Sequence, residues 1–333
     1  MIGGTGAIGR ATAARLLAAG WQVDLTGRDP AHMHPSLETA GARFHRGLPA
    51  VSPDLLLDCA CFTAVDAERL LPLARQAGST VMVSSKAVYV DARGRHSNTD
   101  EPPRFDGPVR ESQPTMAPGR GDHTTREGYG ANKVAAEQVL LDSGLPVTVL
   151  RPSKVHGAGS RLAREWVFVK RALDRRPVVL LAHRGEGGDH PSAAVNIAAL
   201  IEVVAARPGT RILNAADPDA PNGLEISRAI ARHLGHEREE ILLDDGAPAG
   251  LGGHPWGRRP PVVLDTSAAV ALGYSPVGDY ATTVADVVDW LVQAARGGED
   301  ATLLPTPDDP TFAPLLDYAA EDAYLRTHHE LPL

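Results

Sequence analysis

Gly3-Gly4-Thr5-Gly6-Ala7-Ile8-Gly9 is the stretch that decides the fold. Its glycines keep the spacing G-x-x-G-x-x-G and open a run, Gly6 to Ala19, whose apolar positions recur at helical spacing, with Gly20 as a stop. Without a Cβ the backbone can turn tightly and let an anion approach the helix N-terminus. Free N–H groups and the helix dipole favour negative charge there. In a chain with 33 glycines this spacing arises by chance roughly 0.3 times, so context has to decide. The context is a helix followed by the short strand Gln22 to Thr26, the setting that a dinucleotide-binding turn requires. Gly3, Thr5, Gly6, Ala7, Ile8 and Gly9 are therefore candidate cofactor contacts.

The strand before this loop is defective. Only Met1 and Ile2 precede Gly3, whereas a strand usually takes about 5 residues. The expectation is a start codon placed too late rather than a stunted central strand, so an N-terminally extended chain should be more stable. After Thr26 comes Gly27-Arg28-Asp29. An acid at a strand end binds the ribose 2′-hydroxyl of NAD, and an arginine accommodates the 2′-phosphate of NADP. Arg28 makes NADP the expected cofactor, with NAD the alternative through Asp29.

Further outward, Asp54 to Phe62, Thr80 to Ser84 and Val147 to Arg151 read as strands, alternating with helices over Ala64 to Gln76 and Tyr129 to Leu141. That alternation predicts an α/β fold, a doubly wound parallel sheet of Rossmann type with a smaller C-terminal substrate-binding domain. Asp91 to Gly128 is rich in Pro, Gly and Asp, long for a compact domain, and is expected to be a functional loop. Further helices are expected over Arg161 to Leu173, Ala194 to Ala206, Leu224 to Leu234 and Tyr280 to Ala295. Short strands separate them at Val178 to Leu181, Arg211 to Asn214 and Ile241 to Leu243. The expected division is a dinucleotide-binding domain over 1–152, a mixed segment over 153–296 and an acidic extension over 297–333, helical from Phe312 to Arg326.

Tyr129-Gly130-Ala131-Asn132-Lys133 sets a phenol and an ammonium one turn apart on one helix face. A free tyrosine, with a pKa near 10, is a poor base at neutral pH; a neighbouring cation favours its ionised form. The chain has four lysines (Lys86, Lys133, Lys154, Lys170) and otherwise uses arginine, so a lysine here asks what arginine could not do. Ser85, in Ser84-Ser85-Lys86, falls at the carboxyl end of a parallel strand, where ligands bind in such sheets. Ser85, Tyr129 and Lys133 are the candidate catalytic residues.

Gly3–Gly9, Ser84-Ser85-Lys86-Ala87-Val88-Tyr89, Tyr129 to Lys133 with Glu137, and Leu150-Arg151-Pro152 stand in the order found in a known family. So do Val155-His156-Gly157, Val195-Asn196-Ile197-Ala198 and Asp265-Thr266-Ser267 with Leu272-Gly273-Tyr274. The chain resembles an extended or atypical short-chain dehydrogenase/reductase of the NAD-dependent epimerase/dehydratase family. The resemblance implies Tyr129 as acid/base, Lys133 as its tuner and ribose contact, Ser85 as donor to a substrate oxygen, and Pro152 and Ala60 near the cofactor. It also draws attention to Lys86, Lys154 and His156 as candidate substrate contacts. Lys154 stands where the family has a substrate-contacting Asn, and His156 replaces its Tyr. These departures favour a ketoreductase-like hydride transfer at a hydroxyl or carbonyl carbon of a small polar or secondary-metabolite substrate. The alternatives are an NAD(P)-dependent sugar-nucleotide epimerase/dehydratase and a non-catalytic dinucleotide-binding sensor or RNA-associated protein.

A net charge of −8 argues against a nucleic-acid surface. No apolar run approaches the roughly 20 residues that span a bilayer, and no secretory signal is legible. Cys59 and Cys61, expected at i and i+2 on one strand, read as packed thiols in a reducing compartment, so the cytoplasm is the expected location. His32-Met33-His34 and His328-His329 lack companion ligands, so no metal is expected, and no G-x-S-x-G elbow supports a hydrolase. The expected partners are a small-molecule substrate and, in a homodimer, a second copy of the chain; no nucleic acid or membrane is expected.

Overall fold

The apolar stretches Leu55-Leu56-Leu57, Val81-Met82-Val83 and Val147 to Leu150 are buried on both sides, as strands at the centre of a parallel sheet must be. The computed structural model describes residues 1–27, 29–49 and 51–328. In its first half, α1 (Ala7–Ala18), β1 (Asp24–Thr26), α2 (Pro35–Thr39), β2 (Arg43–His45), β3 (Leu55–Asp58) and α3 (Ala64–Ala74) lead to β4 (Ser79–Val83), α4 (Arg126–Leu141) and β5 (Val147–Pro152). Then follow β6 (Lys154–His156), α5 (Trp166–Leu173), β7 (Val178–Leu181), β8 (Pro191–Ala193), α6 (Ala194–Ala206) and β9 (Arg211–Ala215). The last elements are α7 (Gly223–Leu234), β10 (Glu239–Leu242), α8 (Ser267–Ala271), α9 (Tyr280–Ala295) and α10 (Tyr318–His328).

The main sheet is parallel in the order β3-β4-β5-β9, with β1 and β2 forming a second parallel pair. Ile2 joins the two parts, bridging Thr26 on one side and Asp58 on the other. Its amide donates to Leu57 O at 2.8 Å, its carbonyl accepts from Cys59 N at 3.0 Å, and Met1 O accepts from Thr26 N at 2.8 Å. Two residues thus hold the place of the central strand. The strand order reverses there, and such a reversal opens a crevice at the carboxyl ends of the strands.

One face of the sheet is covered by α1 and α6, through Ala13, Leu16, Ile197 and Ile201. The other is covered by α3 and α4, through Leu70, Ala74, Ala136 and Leu140. The sheet is doubly wound. A separate core gathers α5, α7 and α9 around Ile226, Ile230, Val287, Leu291 and Trp256. The expected core run Trp166 to Val169 is buried in it. This is the smaller C-terminal domain. The helices start on clear signals: Thr63 with Asp66 and Asn222 with Glu225 form capping boxes, and Gly235 ends α7 in the left-handed region.

Several expectations need correction. The strand expected over 54–62 ends at Asp58, whose Oδ1 accepts the Ala60 N–H at 2.6 Å as the chain leaves the sheet. Cys59 and Cys61 therefore lie beyond the strand, and burial pushes both thiols up to about 12. The helix expected from Arg161 begins only at Trp166. The tail has a 3₁₀ turn at Ala313–Leu315 and then α10, which docks through ion pairs of Arg171 with Glu321 and Arg176 with Asp322. Arg28 and His329 lie outside the described residues. Among the described residues no helix is long and apolar enough to cross a membrane.

Candidate active site

The glycine loop opens onto a cavity of about 930 Å³ at the strand-order reversal. Gly3, Thr5, Gly6, Ala7, Ile8, Gly9 and Ala60, all expected cofactor contacts, line it. Each glycine has its own reason. Gly3 has φ +69°, in the left-handed region. A Cβ on Gly9 would stand 2.5 Å from the Gly4 backbone, which fixes how closely α1 meets the loop. Gly6 caps α1 with no side-chain acceptor for the first-turn N–H groups, the first turn has no acid, and nothing lies within 4 Å of where its Cβ would be. These unfilled donors beside open space fit the pyrophosphate of a dinucleotide. Asp29, His32 and Arg46 line the same cavity toward the end of β1.

Tyr129 and Lys133 lie in the first two turns of α4, which Thr125 caps by accepting the Gly128 N–H at 3.0 Å. A Cβ at Gly130 would meet Ala87 O and Met116 Sδ at 2.6 Å. That missing side chain lets α4 press against the 86–88 turn, and the Tyr129 phenol comes near enough to Ser85 to be influenced by it. Ser85 also caps the turn, accepting from Ala87 N at 3.1 Å, so it has a local structural task as well. From Val81 to Tyr89 it is the one residue that is not fully buried. Lys133 is 2% exposed; its Nζ donates to Cys61 O at 2.7 Å and Val83 O at 2.9 Å, with the Phe62 ring centroid at 4.2 Å. Pro152 is buried at the end of β5.

Ser85 and Tyr129 therefore lie near each other, while Lys133, one turn further along α4, turns its ammonium to Cys61 O, Val83 O and the Phe62 ring; none of the three lines the large cavity. Phe62 and His123, stacked with centroids 5.3 Å apart, stand between, and both line the cavity. His123 comes from the long segment after β4, which thus lines the cavity. Arg164 lines it too and is near enough to act on the Tyr129 phenol. Burial raises the Tyr129 pKa above the ordinary tyrosine value, while the Ser85 hydrogen bond and Arg164 oppose the shift. Burial also lowers the Lys133 pKa, with Cys61, Asp58, Cys59 and Glu137 opposing.

A pH prediction follows from the Tyr129 surroundings. Ser85→Ala removes an interaction that lowers the phenol's pKa, so that pKa rises further. In the oxidative direction, which needs the phenolate, the rising limb of kcat against pH should move to higher pH. In the reductive direction, which needs the phenol, activity should persist to higher pH. Unmoved limbs in both directions would remove Ser85 from the proton-transfer unit.

A second cavity, of about 670 Å³, has a basic wall that includes Arg126, Lys154, Arg258 and Arg259. Among the described residues its one buried acid is Asp189, which pairs with Lys86 and lies 3.4 Å from Lys154 and 3.6 Å from Arg258. Burial, with Arg164 and Arg258 close by, pulls the Lys154 ammonium down to about 7, and Glu165 works against that shift. His156 does not belong to either cavity. It is buried, pairs with Asp217 at 2.9 Å and packs on the Tyr280 ring, so the structure gives it no face toward a substrate. Phe62, His123, Arg164, Asp189 and Arg258 escaped the sequence reading, and only the length of the 91–128 segment hinted at any of them.

A model of the NAD dependent epimerase/dehydratase family matches residues 1–187, more than half of the chain. The chain belongs to this family. No curated protein matches it in sequence. Among solved structures it is similar to the UDP-glucose 4-epimerase of Thermus thermophilus in complex with NAD (19% identity, TM-score 0.61, covering 87% of this chain and 97% of that one). It is also similar to the dTDP-glucose 4,6-dehydratase of Bacillus anthracis str. Ames in complex with NAD (14%, TM-score 0.64, 91% and 98%). A third is the UDP-glucuronic acid 4-epimerase of Bacillus cereus in complex with UDP-glucuronic acid and NAD (16%, TM-score 0.62, 88% and 98%). At these identities the likeness concerns the fold, and it agrees with the NAD-dependent, short-chain dehydrogenase-type enzyme that the family match establishes.

Proposed function

We propose that this family member is an NAD-dependent epimerase or dehydratase acting on a sugar nucleotide, by transient oxidation of a hydroxyl-bearing carbon. The observation that carries the substrate class is the basic wall of the second cavity. Lys154 and Arg258 on that wall, with the buried Lys86 behind it, surround a single buried carboxylate, Asp189, and Lys86 directly follows Ser85. One carboxylate cannot pair with all three basic groups, and burial beside other cations lowers the pKa of both lysines, so a phosphate-bearing ligand would supply the counter-charge that a small neutral ketone could not. The ketoreductase reading yields to the epimerase/dehydratase one for this reason and for the family match.

NAD is the proposed cofactor in place of NADP. Asp29, the acid that favours NAD, lines the dinucleotide cavity, the family is NAD-dependent, and the similar structures named above hold NAD. When bound in the first cavity, NAD would supply reversible hydride transfer at the carbinol carbon. Ser85 donates a hydrogen bond to the substrate oxygen. Tyr129 takes that oxygen's proton during oxidation and gives one back during reduction. Lys133 supplies positive charge that favours the phenolate.

Incubation with NAD and a panel of UDP- and dTDP-sugars, followed by NMR, should reveal a C4 epimer or a 4-keto-6-deoxy product. Lys154→Ala should raise KM about tenfold or more and change kcat little, the signature of lost uniform binding. Turnover of neutral ketones with NADH, alongside indifference to every phosphate-bearing sugar and to Lys154→Ala, would refute the assignment.

A further inference from the structure

Arg10, the first residue after the glycine motif, reaches three places. Its Nε donates to Thr5 O at 2.8 Å, within the glycine loop. Its Nη1 and Nη2 donate to Asp300 Oδ2 at 2.5 Å and Oδ1 at 3.0 Å, a bidentate pair 290 residues apart in sequence. Its guanidinium also lies against Gly159, where a Cβ would stand 2.7 Å from Nε. Thr5 and Gly159 both line the dinucleotide cavity. Asp300 is held in turn by Trp290 Nε1 at 2.8 Å, from α9 in the C-terminal domain. The two charged side chains are only 11% and 16% exposed. Next to Asp300, Glu299 lies 3.7 Å from His34.

We propose that Asp300 is a positioning residue for the cofactor: through Arg10 it sets the glycine loop in the form that receives the pyrophosphate. The reason lies in peptide geometry. In a trans peptide the carbonyl and the following N–H point opposite ways. Tying Thr5 O to Arg10 therefore turns the Gly6 N–H away from the guanidinium, and Gly6 is the position with open space before it. Asp300 also occupies the guanidinium, which keeps Arg10 from swinging loose, and it links the loop to α9. The C-terminal segment thus acts as a brace between the substrate domain and the cofactor loop.

The inference rests on the reading of the first cavity as a dinucleotide site, so wild-type binding is measured first. Calorimetric titration with NAD and with ADP-ribose should give Kd values about tenfold higher for Asp300→Asn and Arg10→Lys, as expected when a charge-assisted bidentate pair is lost. Adenosine, used as a competitor, should bind wild type and variants alike, because it has no pyrophosphate. Trp290→Phe should weaken NAD in the same direction by a smaller factor, and melting temperatures of the variants check folding. Unchanged NAD and ADP-ribose affinity in both folded variants would overturn the brace alone. So would tighter binding by Asp300→Asn, which would mean that Asp300 shields Arg10 from the anion. If wild type binds neither NAD nor ADP-ribose, the dinucleotide reading falls and this inference falls with it.

Discussion

Tyr129→Phe should lower kcat by about 10²–10⁴-fold while leaving NAD affinity within about twofold. The substitution removes only the phenolic oxygen. The ring keeps its place against Phe62, 6.4 Å between centroids, and Lys133 stays fixed by two backbone carbonyls. Nothing that lines the large cavity changes, because Tyr129 is not among its lining residues. Lost instead is the group proposed to exchange a proton with a substrate oxygen held by Ser85. Burial raises the phenol's pKa and keeps it protonated, so the oxidative half-reaction depends on positive charge near it, which Arg164 supplies in part, to favour the phenolate. Single-turnover kinetics with separate NAD titration would test this. Turnover near the wild-type value would place the proton elsewhere.

Glu137→Ala should destabilise the fold by about 3–5 kcal/mol, because it leaves a buried guanidinium without its counter-ion. Glu137 and Arg151 are 2% and 3% exposed. Glu137 Oε1 accepts from Arg151 Nε at 3.0 Å, and Oε2 accepts from Arg151 Nη2. The Ser84 hydroxyl donates to the same carboxylate. One acid thereby ties β4, α4 and β5 together at the level where Ser85, Tyr129 and Lys133 must meet. The melting temperature should fall by about 5–10 °C. Replacing both partners by apolar residues, Glu137→Leu with Arg151→Met, should recover most of the stability, as buried pairs often allow. It should not recover kcat, because the Ser84 tie stays lost. A melting temperature within about 1–2 °C of wild type for Glu137→Ala would show that the pair does not brace the site.

The parts legible from sequence are those with local signals. The glycine loop, the buried strands and the tyrosine–lysine helix each announce themselves within about a dozen residues, and α6, α9 and β7 fall at their expected bounds. β6 and β8, three residues each, are too short to show a period of two and exist because they pair with each other. β2 is Arg43-Phe44-His45, an edge strand without an apolar alternation, and only β1 gives it a partner. The basic wall is assembled from Arg126, Lys154, Arg258 and Arg259, and the Arg10–Asp300 brace spans nearly the whole chain. Such groupings are products of tertiary folding, with no spacing to read. Even Ser85 looks in sequence like an ordinary turn serine, and its cap to Ala87 makes it one; α4, drawn in by Gly130, brings Tyr129 beside it.

The anchoring of Lys133 limits how this enzyme can be retuned. An ammonium has three donors, and two are committed to main-chain carbonyls that no substitution can alter. One donor is left for a ribose hydroxyl, and in the structure it meets an aromatic face. Selection or engineering can therefore reach this charge through the side chains around it, Phe62 by direct contact and Asp58, Cys59, Cys61 and Glu137 by electrostatics, and variation at Phe62 should change cofactor grip.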